Sequence, residues 1–184
     1  MATGLQKYTV QEATNLISQR KVIRVTPTLT VGSPTAFGAG DVFFNSTEIP
    51  NAVPIEGGAS SLENVSYVFH DDDNSVDFDL IFHQVDAEDL GTVNSGPDIS
   101  KSNLQAAKIL GVWTVDGTDN DSDLGGAMVG SVGHVSEGNG GTNRIYLQAE
   151  TASTSVYVSC IIKSTPTLAA AATDHLELIF NINY

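Results

Sequence analysis

The chain is short of three things that whole classes of protein require. It has one cysteine, Cys160, among 184 residues, so no internal disulfide can form and a disulfide-framed scaffold is excluded. It has no stretch approaching the ~18 consecutive apolar residues that span a bilayer. Its opening residues lack the apolar centre of a secretory signal, so neither a membrane span nor a secreted precursor is expected. It also has few cations: 8 Lys and Arg stand against 22 Asp and Glu, a formal net charge of −14. A duplex carries about one negative charge per 1.7 Å and repels such a chain, so nucleic acid is not an expected partner.

What is present fits one globular body. Hydrophobic residues make up 41 % of the chain, enough for a single core at this length. The few cations are gathered at one end. Lys7, Arg20, Lys21 and Arg24 fall in the first 24 residues with Glu12 as the acidic residue there, a net +3, while the remainder holds four basic and 21 acidic side chains, a net −17. Such a split marks a segment with its own task. Thr9-Val10-Gln11-Glu12 has the form of a capping box, and Val10, Ala13, Leu16 and Ile17 form an apolar stripe, so a short helix is expected through about Ser18. A helix this short needs a surface to dock on. The expected organisation is an N-terminal helical arm over residues 1–20 and a body over residues 21–184.

The body reads as β. Residues 22–31 are rich in β-branched side chains, and Pro27 within them points to an edge strand or a bulge. Asp41-Val42-Phe43-Phe44 reads as a short strand, with residues 45–51 as a turn-rich connection. Val65, Tyr67 and Phe69 alternate on one strand, and Phe78, Leu80 and Phe82 on the next. With Asp71-Asp72-Asp73-Asn74-Ser75 between them they predict a hairpin that brings His70 near His83. One or two helical turns are expected over residues 102–108, capped by Ser100 or Ser102, followed by a strand over residues 109–115. Residues 125–141 hold 7 of the 17 glycines and read as a long mobile loop. Three closing strands are expected over residues 144–149, 155–163 and 175–182, the last with Leu176, Leu178, Phe180 and Ile182 in strict alternation. Seven or eight short strands predict an all-β fold, an antiparallel β-sandwich of jelly-roll-like wrap.

Chemical motifs are sparse. Asp119, Asp121 and Asp123 alternate as Ca²⁺ ligands do, but Leu124 stands where an EF-hand loop needs Gly and Gly130 where it needs Glu. They remain the candidate metal ligands, against a solvated turn. A second acidic group, Asp71, Asp72, Asp73, Asp77 and Asp79, lies around the expected hairpin tip, where Asp is favoured for its turn geometry alone. The histidines His70, His83, His134 and His175 show no metal-binding spacing. Gly130-Ser131-Val132-Gly133 misses the spacing of a nucleophile elbow, and no phosphate-binding glycine signature occurs. Cys160, mid-strand in Val158-Ser159-Cys160-Ile161, reads as a small core residue. No cofactor is expected, and the chain is not read as an enzyme.

Residues 35–58 are more specific. Thr35-Ala36-Phe37-Gly38-Ala39-Gly40-Asp41-Val42-Phe43-Phe44, Thr47-Glu48-Ile49-Pro50-Asn51-Ala52-Val53 and Gly57-Gly58 resemble a family of small structural proteins of tailed bacteriophages, frequent in marine phages. Phe78-Asp79-Leu80-Ile81-Phe82, Ala107-Lys108-Ile109-Leu110-Gly111-Val112, Ser155-Val156-Tyr157-Val158 and Thr165-Pro166-Thr167 are similar to later pieces of the same layout, so the likeness covers roughly residues 22–182. Its motifs are packing and turn residues. The resemblance implies a virion component made in the host cytoplasm and placed on the capsid exterior. Most directly it implies a capsid decoration (cement) protein that binds the assembled major capsid protein, as a homo-oligomer in which a trimer is favoured over a dimer. On that reading Lys7, Arg20, Lys21 and Arg24 are the capsid contacts. The alternatives are a head fibre base or tail adsorption protein that binds host glycan through loops near Trp113 and Gly125–Gly141, and, more remotely, a carboxylate-based hydrolase. The N-terminal arm and residues 116–141 depart from the family layout.

Overall fold

Alternation of apolar and polar residues at period two runs through most of the chain, and each such run becomes a strand with one face on the core. The computed structural model describes residues 20–29, 35–70, 76–86, 89–117, 121–133, 136–137, 141–142, 144–168 and 175–184. The expected helical arm with Lys7, the Asp71-to-Ser75 turn, Asp119 and His134 lie outside the described residues.

In chain order the strands are β1 (Arg20–Val25), β2 (Thr35–Ala36), β3 (Val42–Ile49), β4 (Ala59–Phe69) and β5 (Phe78–His83). Helix α1 (Lys101–Ala107) follows, then β6 (Ile109–Val115), β7 (Asp121–Asp123), β8 (Met128–Gly133), β9 (Ser136–Glu137) and β10 (Gly141–Thr142). The chain closes with β11 (Ile145–Gln148), β12 (Val156–Ile162), β13 (Thr167–Leu168) and β14 (Leu176–Asn183). As expected, Ser100 caps α1: its hydroxyl accepts the Asn103 amide at 3.2 Å. The helix stops where Lys108 turns left-handed at φ 53°.

The fold is an all-β sandwich of two antiparallel sheets. One sheet has the order β1-β14-β4-β8-β7, with β11 also paired to β4; the other has the order β3-β12-β5-β6. The eight long strands pair in a nested way. The first pairs with the last (β1 with β14), the second with the seventh (β3 with β12), the third with the sixth (β4 with β8) and the fourth with the fifth (β5 with β6). The chain thus folds as one long doubled ribbon wrapped into two layers.

Aromatic pairs join the layers. Tyr67 of β4 meets Phe78 of β5 edge-on at 5.5 Å, and Phe82 of β5 meets Phe180 of β14 at 5.8 Å. Phe43 of β3 lies 6.3 Å from Phe69 of β4 and 5.1 Å from Phe37. Pairs of this kind add about 0.5–1.5 kcal/mol each beyond their buried area. Cys160 is wholly buried between them, and burial pushes its thiol well above the ordinary range, as expected of a core residue.

Four sequence expectations change. The β4 and β5 runs do not form a hairpin; they belong to different sheets and face each other across the core. Period-two alternation reports that a strand buries one face, not which strand lies beside it. His70 and His83 are accordingly apart: the His70 amide donates to the His175 carbonyl at 2.7 Å, while His83 lies in the opposite layer. β3 runs on through Asn45 to Ile49, where the sequence reads as a connection. Its polar residues face a loop that takes the place of a neighbouring strand: Asn45 donates to the Gly91 carbonyl and accepts the Leu90 amide, each at 2.9 Å. Finally, the glycine-rich stretch is not one loop. It contributes β8, which pairs with β4 from Phe69 to Asn64. Gly130 within it is required by contact, because a Cβ there would lie 2.3 Å from the Tyr67 ring.

Candidate interaction edge

β1 lies at one end of its sheet, and among the described residues β14 is its one strand neighbour. Alternation decides which of its side chains reach solvent. Ile23 and Val25 turn into the core, while Arg20, Val22 and Arg24 are exposed, Val22 at 59 %. Three of the chain's 8 Lys and Arg thus share one six-residue edge strand. The edge position fits the presence of Pro27 just past its end.

The three cations are held differently. The Arg24 guanidinium bonds the carboxylate of Glu177 on β14. Lys21 Nζ donates to the Asn51 carbonyl at 3.3 Å and stands 5.7 Å from the centre of the Tyr184 ring. Arg20 and Lys21, with Glu63, Asn64, Asn181 and Ile182, line a shallow cavity of about 260 Å³. Beside it the outer face of the sheet carries a bonded patch of amides and hydroxyls. Asn181 Nδ2 donates to Asn64 Oδ1 at 3.1 Å, Asn64 Nδ2 to Ser131 Oγ at 2.9 Å, and Ser66 Oγ to Asn64 Oδ1 at 3.0 Å.

Of the four expected contact residues, the structure brings Arg20, Lys21 and Arg24 together and places Lys7 outside the described residues. Arg20 belongs to β1, opposite Asn183, so it is part of the body rather than of an arm. The partners Asn51, Glu177 and Tyr184 are not readable from spacing; Glu177 lies 153 residues from Arg24.

The expected metal ligands are partly described. Asp121 and Asp123 are alternate residues of β7, paired with Gly130 and Met128 of β8. Asp123 Oδ1 accepts the Gly125 amide at 2.6 Å. Among the described residues no group of three His, Cys, Asp or Glu could hold a metal ion. Asp121 Oδ2 and Tyr67 Oη are nevertheless both buried without a hydrogen-bond partner among the described residues. Burial first, then the carboxylates of Asp121, Asp77 and Asp116, pushes the Tyr67 hydroxyl up to about 12.

One polar pair was not foreseen. His83 Nε2 lies 3.0 Å from Ser159 Oγ, and Nδ1 lies 2.7 Å from the Val85 carbonyl. The carbonyl fixes the tautomer: Nδ1 carries the proton and donates, so Nε2 accepts from the serine hydroxyl. Both side chains are buried, at 1 % and 2 % exposure, on the outer side of their sheet, the side they share with half-buried Ile81 and Tyr157. Trp113 is 7 % exposed and faces the core.

Compared with known proteins, the chain matches no family model and no curated protein. Among the described residues no helix is long and apolar enough to cross a membrane.

Proposed function

We propose that the chain is a structural protein of a tailed-bacteriophage virion, a capsid decoration (cement) protein that binds the assembled major capsid protein from outside. The observation that carries this reading is the basic edge strand: Arg20, Lys21 and Arg24 belong to one six-residue strand at the rim of a body whose remaining charge is strongly negative. An acidic body with one basic edge orients itself on an acidic surface and keeps its other faces turned from it. The resemblance of residues 35–58 to phage structural proteins supports the same reading. Its residues build the seat of β3: Gly40 takes φ 97°, Asn51 takes φ 51°, and Val42, Phe43, Phe44, Ile49 and Ala52 are buried. The nested pairing of the eight long strands supports a jelly-roll wrap.

The action is mechanical. A sandwich joined across its layers by aromatic pairs is stiff, and a trimer of such bodies over capsid seams adds interface that expansion or rupture must break. A glycan-binding tail part, the alternative, needs an exposed stacking ring; the expected one, Trp113, is buried, and Tyr146, 65 % exposed, is the ring that reading would have to use. Quantitative mass spectrometry of purified particles tests the proposal. On the order of hundreds of copies per particle is expected of a shell component under icosahedral symmetry. A dozen or fewer would assign the chain to the tail, and its absence from particles would refute a virion role.

A further inference from the structure

We propose that β1 is a docking strand, whose outer side takes up an extended acidic segment of a protein partner as an added antiparallel strand. This deepens the proposed function by naming the chemistry of the partner, and it rests on β1 being the contact edge.

The other sheet ends are covered by a loop, packed on a neighbouring strand, or short. Along β3, Val42 accepts the Asn94 amide on its carbonyl and donates its own amide to the Ser95 carbonyl, each at 2.9 Å, so a loop covers that edge. β6 and β11 meet, with a Cβ on Gly111 falling 3.1 Å from the Ile145 side chain. β7 is three residues long. β1 is six residues long, has β14 on one side, and among the described residues has no strand on the other. An edge of this length is a template for an incoming strand.

The side chains select what pairs there. Arg20, Val22 and Arg24 alternate on the solvent face, so a partner strand meets cation, apolar, cation at successive same-face positions, the second cation shared with Glu177 of β14. Opposite charges directly across a ladder stabilise it and like charges do the reverse. A second copy satisfies neither arginine. With Val22 opposite Val22, pairing β1 with itself over residues 20–24 sets Arg20 against Arg24 at both ends of the ladder; with Ile23 opposite Ile23, over residues 21–25, Arg24 meets Val22 and Arg20 falls outside the ladder. A segment with carboxylates at alternate same-face positions and an apolar residue between them fits instead.

The test uses the full chain and a blocked peptide of sequence Thr-Glu-Ile-Val-Thr-Glu-Val, with Lys replacing both Glu in the control. Amide hydrogen exchange is followed across residues 20–25. The expected result is about tenfold slower exchange there with the acidic peptide and no change with the basic one. Arg20→Glu, which leaves the Arg24 and Glu177 pair in place, is expected to abolish the effect, and R20E/R24E to transfer it to the Lys peptide.

Four results would overturn the proposal: no protection by either peptide, equal protection by both, protection without peptide that grows with protein concentration, or full protection in the dilute chain alone. The third would assign the edge to a second copy, and the fourth to a segment of the chain itself. Particle binding is scored separately. Particles bound equally well by R20E/R24E would sink the docking strand and leave the virion role standing; peptide binding by a chain absent from particles would do the opposite.

Discussion

Lys21 and Tyr184, near the start of the first described strand and at the end of the chain, converge on one carbonyl oxygen. Lys21 Nζ and Tyr184 Oη both donate to the Asn51 carbonyl, and the ammonium stands over the tyrosine ring at 5.7 Å. The turn after β3 is thereby tied to the edge strand β1 of the other sheet and to the end of its neighbour β14. This places the turn at Asn51 directly against the basic strand.

The hub requires Asn51 to hold φ 51°, a left-handed conformation that Asn and Gly tolerate and other residues resist. Its side chain adds little, since Thr154 Oγ1 reaches Asn51 Oδ1 only at 3.4 Å. Asn51→Gly is therefore expected to be near neutral, because the carbonyl and the turn are kept. Asn51→Ala is expected to cost about 1–2 kcal/mol. Urea midpoints of the three proteins decide this, and equal losses for Gly and Ala would show that the side chain rather than the backbone angle matters.

Tyr67 and Gly130 make a second pair that behaves unlike its appearance. The ring is 1 % exposed and among the described residues its hydroxyl has no partner, so the hydroxyl has left water without compensation from them. Tyr67→Phe is expected to be neutral or stabilising by up to about 1 kcal/mol, where the loss of a bonded hydroxyl would destabilise. Gly130→Ala brings a methyl to 2.3 Å from Cζ and Oη and is expected to cost about 1–3 kcal/mol or more. In a Tyr67→Leu background the same change should cost much less, and a double-mutant cycle by thermal melting measures the coupling. Additive losses would mean that the two residues do not press on each other.

Strand identity was legible in the sequence wherever the alternation was strict. Leu176, Leu178, Phe180 and Ile182 are all buried, with half-buried residues between them. Strand partnership was not legible. The runs around Tyr67 and Phe78 read as neighbours in a hairpin, yet they meet as facing layers, because both arrangements demand the same burial pattern. β8 was hidden for a different reason: at Gly130 the side chain is missing so that a neighbour's ring can occupy its space, and the apolar alternation lapses there. For the candidate site, charge clustering was enough to single out Arg20, Lys21 and Arg24, and Pro27 marked an edge. What holds them, Glu177 and the Asn51 carbonyl, comes from long-range contacts that no local pattern encodes.

The buried His83 and Ser159 pair carries a pH dependence with a definite sign. Burial lowers the histidine below its ordinary 6.5, and the Val85 carbonyl and Asp86 oppose this less strongly. The unfolded chain takes up a proton near 6.5, whereas the folded chain holds the ring neutral to lower pH. Between those two values the unfolded state binds more protons, so stability falls as pH drops through that window. Above it the contribution is complete and constant. His83→Gln removes the titrating group and is expected to flatten this part of the profile, even if it lowers stability at every pH. Urea unfolding at about pH 7 and about pH 5.5, above the main carboxylate range, isolates the effect. The parent should lose more stability than the variant between the two conditions; identical losses would mean that His83 is protonated as readily in the folded chain as in the unfolded one.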